Sequence, residues 1–184
     1  MLDAFYTDQE LFTLGLKKVG KSVKLSRKAS LYSPSTICIG NNVRIDDFCI
    51  LSGEINIGSY VHIAAYSALY GSHGITIKDY SGLSARTIVY SAVDDFSGTY
   101  MISPLVPKEL TMVSGGIVKI ERFVQVGAGS IILPGITLGE GSVVGALSLV
   151  KHNLCEWTIY AGIPAKQIKQ RNRNILELVK RIST

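Results

Sequence analysis

The sequence has no apolar stretch that approaches the roughly 20 residues needed to span a bilayer. Only 18% of its 184 residues are charged, whereas 47% are hydrophobic. The first ten residues include acidic side chains and no basic cluster, so they do not have the pattern of a secretory signal. These features predict a single cytoplasmic domain over residues 1–184 with a large buried core.

Cysteine is scarce, and its spacing does not fit a metal site. The three cysteines are Cys38, Cys49 and Cys155. None of the usual close pairs of metal ligands is present, so we expect free thiols, with Cys38 and Cys49 buried as small residues. The sequence therefore predicts no metal requirement.

The net charge of +5 is concentrated near the C-terminus. The basic residues there are Lys166, Lys169, Arg171, Arg173, Lys180 and Arg181. Such a cluster is either a solvated helix face or a contact for phosphate groups. A nucleic-acid partner is not predicted, because aromatic residues do not alternate with the basic ones and no groove-reading motif is present.

Aliphatic residues recur at every sixth position along most of the chain. They include Ile39, Ile45, Leu51, Ile57, Ile63, Leu69, Ile77, Leu83 and Val89, and then Ile120, Val126, Ile132, Leu138, Val144 and Val150. A hexapeptide period predicts a parallel β-helix, in which three short strands and three corners form each triangular coil. A β-sandwich is disfavoured, because its strands alternate with period two and its turns are less regularly spaced.

Three hexapeptides per coil place several acidic and basic side chains at one corner of the β-helix. The aliphatic residues that stack along that edge are Leu31, Leu51, Leu69 and Val89. Successive coils lie about 4.8 Å apart. Glu54, His73, Asp94 and Asp95 follow these stacked positions, so they project from the same edge. We therefore predict that His73 and Asp94 lie within hydrogen-bonding reach, although 21 residues separate them.

The hexapeptide pattern stops between Val89 and Ile120, where residues 94–119 contain two prolines and the pair Gly115-Gly116. This segment is too long for a turn. We interpret it as a loop extruded from the β-helix, the kind of insertion that often carries function.

Two helical segments are predicted at the ends of the β-helix, which itself spans residues 19–166. Residues 1–18 form an N-terminal cap with an amphipathic helix over 3–18, begun by a capping box between Thr7 and Glu10. Residues 167–184 are predicted to form a C-terminal helix with one apolar stripe.

The chain resembles the hexapeptide-repeat acyltransferases in its hexapeptide repeats, its extruded loop and its C-terminal motif, VGAGSIILPGITLGEGSVVGALSLV…YAGIPAK. Within that family it is similar to the trimeric sugar acetyltransferases, such as the galactoside and maltose enzymes and those acting on bacterial surface polysaccharides. The resemblance covers nearly the whole chain. It implies an all-β, left-handed parallel β-helix, a homotrimer with active sites between subunits, and acetyl-CoA as the acyl donor.

The function that this resemblance implies is acetyl transfer to a saccharide, directly within a ternary complex. The favoured acceptor is a nucleotide-linked amino sugar or another building block of a surface glycan such as lipopolysaccharide. Transfer to the hydroxyl of a simple galactoside-like sugar is the alternative. Transfer of an acyl group larger than acetyl also stays an alternative.

Five residues match positions that contact the donor in the family. In VGAGS and VGALS, Ala128 and Ala146 match positions whose backbone lines the pantetheine arm, where a small side chain lets the cofactor approach. Lys151 follows the last hexapeptide, at a position where the family has another contact with the cofactor. Lys166 and Lys169 match basic positions near the 3′-phosphate and pyrophosphate, which gives the basic cluster a specific role.

The catalytic positions depart from the family pattern. In galactoside acetyltransferases the catalytic histidine falls where this chain has Asp94, and an acidic residue falls near His73. We predict His73 as general base or substrate-positioning group, with Asp94 orienting its imidazole or binding the sugar. Asp95, Glu54 and Ser84 are predicted to bind substrate. Asp95 could replace Asp94, and Ser84 lies on another edge that could reach the site across a subunit boundary.

Two other classes are disfavoured by the sequence. A β-helix carbonic anhydrase needs three histidines as zinc ligands, and His62, His73 and His152 lack that spacing. His62 is expected to be structural, and His152 to be at most a minor cofactor contact. A non-enzymatic scaffold would not need the cofactor-like ending or the polar corner.

Overall fold

The computed structural model of the chain describes residues 4–182, which form a parallel β-helix. The strands of its lower coils are β1 (Lys18–Val19), β2 (Lys24–Leu25), β3 (Ser30–Tyr32), β4 (Ile37–Ile39), β5 (Arg44–Ile45), β6 (Ile50–Ile57), β7 (His62–Ile63), β8 (Ala68–Ile77), β9 (Gly82–Leu83) and β10 (Ile88–Tyr90). The later strands are β11 (Ala92–Asp94), β12 (Val113–Gly115), β13 (Val118–Ile120), β14 (Gln125–Val126), β15 (Ile131–Ile132), β16 (Thr137–Leu138), β17 (Val143–Val144), β18 (Leu149–Val150), β19 (Thr158–Ala161) and β20 (Lys166–Gln170). Predictions that fall on residues 1–3 and 183–184 lie outside the described residues.

These strands stack in parallel on three faces. The first face carries β3, the first halves of β6 and β8, then β10, β15 and β18. The second carries β1, β4, the second halves of β6 and β8, then β13 and β16. The third carries β2, β5, β7, β9, β14, β17 and β19. Strands β6 and β8 bend through the corner between the first and second faces, so that corner is built from continuous strand.

The predicted aliphatic column fills the interior. Leu31 pairs with Leu51, Leu51 with Leu69, and Leu69 with Val89, as the six-residue period requires. Leu51, Leu69 and Val89 are completely buried. Burying each such side chain contributes about 1.5–3 kcal/mol, so this column is the main source of stability.

A ladder of aromatic side chains runs along the corner between the second and third faces. Ring centroids lie 4.8 Å apart between Tyr60 and Tyr80, 5.3 Å between Tyr80 and Phe123, and 6.1 Å between Phe123 and Trp157. All four residues have left-handed φ values, between 50° and 61°. That conformation costs about 1–2 kcal/mol per residue. Contacts between neighbouring rings along the ladder offset this cost.

The extruded segment, predicted as a loop, contains paired strands at both ends. Its ends form an antiparallel hairpin, in which Asp94 of β11 lies opposite Val113 of β12. The coil resumes at Val118, two residues before the predicted Ile120, because β13 pairs with the second half of β8 from that residue onward. The hairpin thus joins the two ends of the extruded segment, called here the excursion.

The three cysteines are free thiols. Cys49 is buried as predicted. The prediction for Cys38 is wrong, because it lies between the inward-pointing Ile37 and Ile39 and therefore points outward, half-buried. Residues 4–182 hold no cluster of three His, Cys, Asp or Glu side chains placed to bind a metal ion.

The N-terminal helix is shorter than predicted. Helix α1 spans Asp8–Thr13, and the predicted capping box is present between Thr7 and Glu10. Gly15, with φ of +72°, ends the helical segment, and the first coil begins at Lys18. A turn compatible with glycine therefore replaces the last third of the predicted helix.

Glu10 links this helix to the first coil. Its carboxylate accepts a hydrogen bond from Arg27 Nη2 at 2.6 Å and one from the Thr7 backbone N–H at 2.8 Å. The Arg27 hydrogen bond, followed by those from Thr7, lowers the pKa of Glu10 from 4.5 to about 2.

We expect Glu10→Gln to destabilise the fold at neutral pH but not at strongly acidic pH. Because the folded pKa is lowered, the carboxylate stabilises the fold above pH 4.5 and loses this effect as the pH falls toward 2. Urea denaturation across this range should therefore show the two unfolding free energies converging. Glu177→Gln, in an exposed pair with Lys180, is the control and should change stability little. A wild-type advantage that persisted at pH 2 would contradict this account.

The C-terminal segment corrects another prediction. Residues Lys166–Gln170 form β20, antiparallel to β19, and only Ile175–Val179 form a helix, α2. Arg171 then donates from Nη1 to the carbonyl oxygens of Phe123 at 2.6 Å and Gly141 at 3.0 Å. These bonds fix the segment against the aromatic ladder. Among the described residues, no helix has both the length and the apolar character to cross a membrane.

Candidate active site

The structure brings the predicted polar residues to the corner between the first and second faces, here called the hairpin corner (Glu54, His73 and Asp94). Glu54 lies in β6, His73 in β8, and Asp94 at the end of β11. All three side chains are exposed. No hydrogen bond joins His73 and Asp94, which were predicted to lie within hydrogen-bonding reach. His73 Nδ1 lies instead 3.3 Å from Ser72 Oγ.

Ser91 joins the parts of the hairpin corner. Its side chain is completely buried, accepts a hydrogen bond from the His73 N–H at 2.8 Å and donates to the Tyr70 carbonyl at 2.9 Å. Its own carbonyl accepts from the Gly116 N–H at 2.9 Å, where the excursion returns. Ser91 therefore fixes the position of His73 relative to the hairpin that carries Asp94. Reasoning from the sequence missed this residue.

We expect Ser91→Ala to lower kcat about 10- to 100-fold, because the side chains at the corner would lose their alignment. The matched control is Ser81→Ala. Ser81 is also buried, donates to the Glu121 carbonyl at 2.8 Å and accepts from the Val124 N–H at 3.2 Å, but lies at another corner. Both variants should lose similar stability, and Ser91→Cys should restore part of kcat. Equal kcat values in the two alanine variants would show that Ser91 has only a structural role.

Asp95 has a different role from Asp94. Its carboxylate accepts from the Ser97 N–H at 3.0 Å, the Ser97 hydroxyl at 2.9 Å and the Tyr100 N–H at 3.0 Å. The backbone hydrogen bonds from Ser97 and Tyr100 lower its pKa. Both oxygens thus hold the start of the excursion, whereas Asp94 projects freely at the pocket beside the hairpin.

Ser84 lies at the corner between the third and first faces, directly after β9. Its side chain is half-buried, and its Oγ accepts a hydrogen bond from Gln125 Nε2 at 3.2 Å. Gln125 comes from the next coil, 41 positions away in the sequence, so no local pattern could indicate it.

Ala128 and Ala146 lie above Ser84 along that corner, called here the small-residue corner (Ser84, Ala128 and Ala146). The Leu147 N–H donates to the Ala128 carbonyl at 2.8 Å, which stacks the two coils. Within residues 4–182, neither Ala128 nor Ala146 donates its backbone N–H to a protein acceptor. Both residues are exposed, so these amides suit a ligand with carbonyl groups, as the pantetheine arm has.

Three exposed lysines surround the upper coils. Lys151 follows β18 on the first face, and Lys166 and Lys169 lie on β20 opposite Ala161 and Ile159. Exposed ammonium groups at this end suit the phosphates of a nucleotide cofactor.

His62 is part of a separate cluster. Its Nε2 lies 2.7 Å from one oxygen of Asp46, and Arg44 Nε donates to the other at 2.7 Å. Partial burial opposes ionisation of Asp46, but the hydrogen bonds from His62 and Arg44 outweigh it and lower the pKa. This ion-paired arrangement agrees with the structural role expected of His62.

Comparison with known proteins assigns the family. No protein-family model matches the chain. A curated relative, dTDP-4-amino-4,6-dideoxy-D-glucose acyltransferase of Escherichia coli, is 47% identical over 178 residues, which cover 95% of this chain and 93% of the relative. The chain belongs to the hexapeptide-repeat acyltransferases. The prediction of an acyltransferase is thereby confirmed.

Solved structures agree with this assignment. AntD, an N-acyltransferase from Bacillus cereus in complex with dTDP and 3-hydroxybutyryl-CoA, is 51% identical, with a TM-score of 0.96 over 99% of this chain and 97% of its own. A hexapeptide-repeat acetyltransferase from Vibrio cholerae, VCA0836, is 20% identical, with a TM-score of 0.63 over 94% of this chain and 83% of its own, and supports the fold alone. The predicted left-handed β-helix is therefore confirmed for this acyltransferase.

Proposed function

We propose that the protein transfers an acyl group from a CoA thioester to the 4-amino group of a dTDP-linked 4-amino-4,6-dideoxyhexose. The observation that carries this proposal is the near full-length similarity to the E. coli enzyme named for that substrate. The S84C variant of AntD, of which 98% is matched, has also been solved with dTDP-4-amino-4,6-dideoxyglucose and CoA. These relatives favour transfer to an amine over transfer to the hydroxyl of a simple sugar.

Ser84 and Asp94 are the side chains assigned to the reaction. Structures of AntD have been solved with its S84C and S84A variants bound to dTDP-4-amino-4,6-dideoxyglucose and CoA, and with its D94A and D94N variants bound to dTDP and CoA. This chain has serine and aspartate at the same numbers. The correspondence supports both residues, which the sequence also indicated.

The positions of these two residues favour a site shared between subunits. Ser84 precedes β10 and Asp94 follows it, so the whole first face separates them. An extended strand rises about 3.3 Å per residue, which puts the two corners roughly 15–20 Å apart. One chain therefore cannot bring both to the same reacting atoms, but neighbouring copies can. A homotrimer with active sites between subunits satisfies this requirement.

The chemistry assigned to these residues is aminolysis of a thioester. The amine lone pair forms the N–C bond, and the C–S bond breaks after the tetrahedral intermediate. Asp94 accepts the proton released from nitrogen, which then leaves on the sulfur of CoA as the thiol. The Ser84 hydroxyl donates a hydrogen bond to the oxyanion of the intermediate. His73 and Glu54, at the same corner, position the sugar.

The donor is assigned to the upper coils. The free amides of Ala128 and Ala146 would bind the pantetheine arm, and Lys151, Lys166 and Lys169 would bind the phosphates of CoA. Acetyl-CoA is the simplest donor. Use of the product in a surface polysaccharide and a cytoplasmic location both stay predictions.

A thiol-release assay with acetyl-CoA tests the function. The acceptors are dTDP-4-amino-4,6-dideoxyglucose, dTDP-glucose, a UDP-linked amino sugar and a simple galactoside. We expect turnover with the first and a loss of at least about 1,000-fold with dTDP-glucose, because a site built around an amine rejects the analogue that lacks it. Preferred turnover of the galactoside would overturn the proposal in favour of O-acetylation.

A further inference from the structure

We propose that Gln125 is a positioning residue for acyl transfer, because its side-chain amide donates to the Ser84 hydroxyl and thereby leaves the hydroxyl proton for the oxyanion. Gly82 provides the space that this amide needs. The inference rests on the proposed function, in which Ser84 donates a hydrogen bond to the tetrahedral intermediate. It adds to that site a residue from the next coil, which acts only through Ser84.

The backbone of Ser84 is held in place by hydrogen bonds. Its N–H donates to the Val126 carbonyl at 2.9 Å, and its carbonyl accepts from the hydroxyls of Ser67 at 3.2 Å and Thr87 at 2.7 Å. The hydroxyl of Ser84 has one contact. Among the described residues, its oxygen accepts from Gln125 Nε2 at 3.2 Å, and its proton is donated to no protein acceptor. Gln125 is therefore the side chain that sets the direction of this hydroxyl.

The orientation of the Gln125 amide follows from its second contact. Nε2 also lies 3.4 Å from the Val126 carbonyl oxygen, which accepts hydrogen bonds and cannot donate them. The nitrogen of the amide, and not its oxygen, therefore faces Ser84. Because Nε2 can only donate, Ser84 Oγ is the acceptor in this pair. A serine hydroxyl has one proton, so that proton points away from Gln125 and is free to bind a ligand.

Gly82 makes room for the side chain of Gln125. The two residues are register partners on adjacent coils of the third face. A Cβ atom at position 82 would stand 2.5 Å from Gln125 Oε1, so the end of the glutamine side chain would have to move. The neighbouring positions in this outward column carry side chains, with His62 below Gly82 and Val143 above Gln125. The missing side chain thus lies directly below the amide that binds Ser84.

A hydroxyl oriented in this way suits the stabilisation of an oxyanion. When the amine nitrogen bonds to the thioester carbon, negative charge develops on the former carbonyl oxygen. A donor that is aimed in advance needs no reorganisation as this charge develops. Glutamine suits the role because its amide is a neutral donor. A carboxylate of the same size would accept the Ser84 proton and withdraw it from the substrate.

Steady-state kinetics with acetyl-CoA and dTDP-4-amino-4,6-dideoxyglucose tests the role of Gln125. We expect Gln125→Ala to lower kcat about 10-fold and to leave both KM values within about twofold of wild type, since the amide acts only through Ser84. Gln125→Glu should lower kcat about 100-fold, close to the loss in Ser84→Ala. A residue with only a structural role would tolerate this isosteric change better than truncation to alanine.

The Ser84→Ala background shows whether Gln125 acts through the hydroxyl. In that background Gln125→Ala should lower kcat by less than about twofold, because no hydroxyl is left to position. Gly82→Ala keeps the amide but displaces it, so by itself it should lower kcat as much as Gln125→Ala does. The matched control is Gln170→Ala, which removes a hydrogen bond of the same length, 3.2 Å, from Nε2 to the Thr158 hydroxyl. This variant should keep kcat within about twofold of wild type.

NMR gives a readout that does not depend on turnover. The chain has four glutamines, so selective labelling of their side-chain nitrogens gives few signals. Gln125→Ala identifies the Gln125 signal by its absence. Ser84→Ala and Gly82→Ala should each shift a Gln125 amide proton upfield, as expected for a lost hydrogen bond, and should leave the Gln170 signal in place.

The outcomes separate this inference from the proposed function. An unchanged kcat in Gln125→Ala, or an equal loss with and without the Ser84 hydroxyl, would overturn the inference and leave the function standing. No turnover by the wild type would contradict the function itself. In that case an unshifted Gln125 signal in Ser84→Ala would independently contradict the inferred hydrogen bond, whereas the expected shift would still support it.

Discussion

Asp94→Asn should lower kcat for acyl transfer by at least about 100-fold, the low end of general-base catalysis. The amide keeps the size of the carboxylate and can still accept a hydrogen bond, but it cannot take the proton from the attacking nitrogen. Steady-state kinetics with dTDP-4-amino-4,6-dideoxyglucose and acetyl-CoA measures this effect. We expect KM for acetyl-CoA to change little, since the donor contacts are assigned to other coils.

Glu109→Gln is the matched control for this substitution. Glu109 is an exposed acid in the same excursion, and its conversion to the amide should leave kcat within about twofold. His73→Ala should raise KM for the acceptor and lower kcat by less than Asp94→Asn does. If His73→Ala lost 100-fold in kcat while Asp94→Asn kept most of it, the histidine would be the base and the assignment made here would be wrong.

Mixing two inactive variants should restore activity. Asp94→Asn and Ser84→Ala each remove one residue of the proposed site, and loss of a hydrogen bond to the oxyanion costs about 100- to 1,000-fold. In a trimer with sites between subunits, each mixed trimer contains one site that combines the intact Ser84 and Asp94. A preparation that contains only mixed trimers should therefore recover about a third of wild-type activity.

The experiment uses co-expression of the two variants with different affinity tags, followed by purification through both tags. Each variant is also expressed and purified by itself, and its activity provides the background rate. A mixed preparation with no more activity than this background would mean that both residues act within one chain or that one of them does not act. Either result would contradict a site shared between subunits.

The sequence predicted the coil well because its signal is periodic. The inward position of Leu51, Leu69 and Val89 follows from spacing alone, and their register in the structure is as expected. The capping box of Thr7 and Glu10 is likewise local and was predicted correctly. Patterns that depend on neighbouring residues are therefore visible without coordinates.

Contacts between distant segments could not be predicted in the same way. β20 pairs with the free edge of the last coil, and the polar sequence KQIKQ gives no sign of this. The link between Ser91 and His73 depends on how the chain leaves and rejoins the coil. No hydrogen bond joins Asp94 of this hairpin to His73. These positions are set by the excursion, whose fold has no periodic signal.

The most direct test of the central claim is the structure of the product made from acetyl-CoA and dTDP-4-amino-4,6-dideoxyglucose, determined by mass spectrometry and NMR. The account predicts a nucleotide sugar that has gained one acetyl group on the nitrogen at C4, with release of one equivalent of CoA. An acetyl group on a sugar hydroxyl, or an unmodified amino sugar after prolonged incubation with active enzyme, would contradict it.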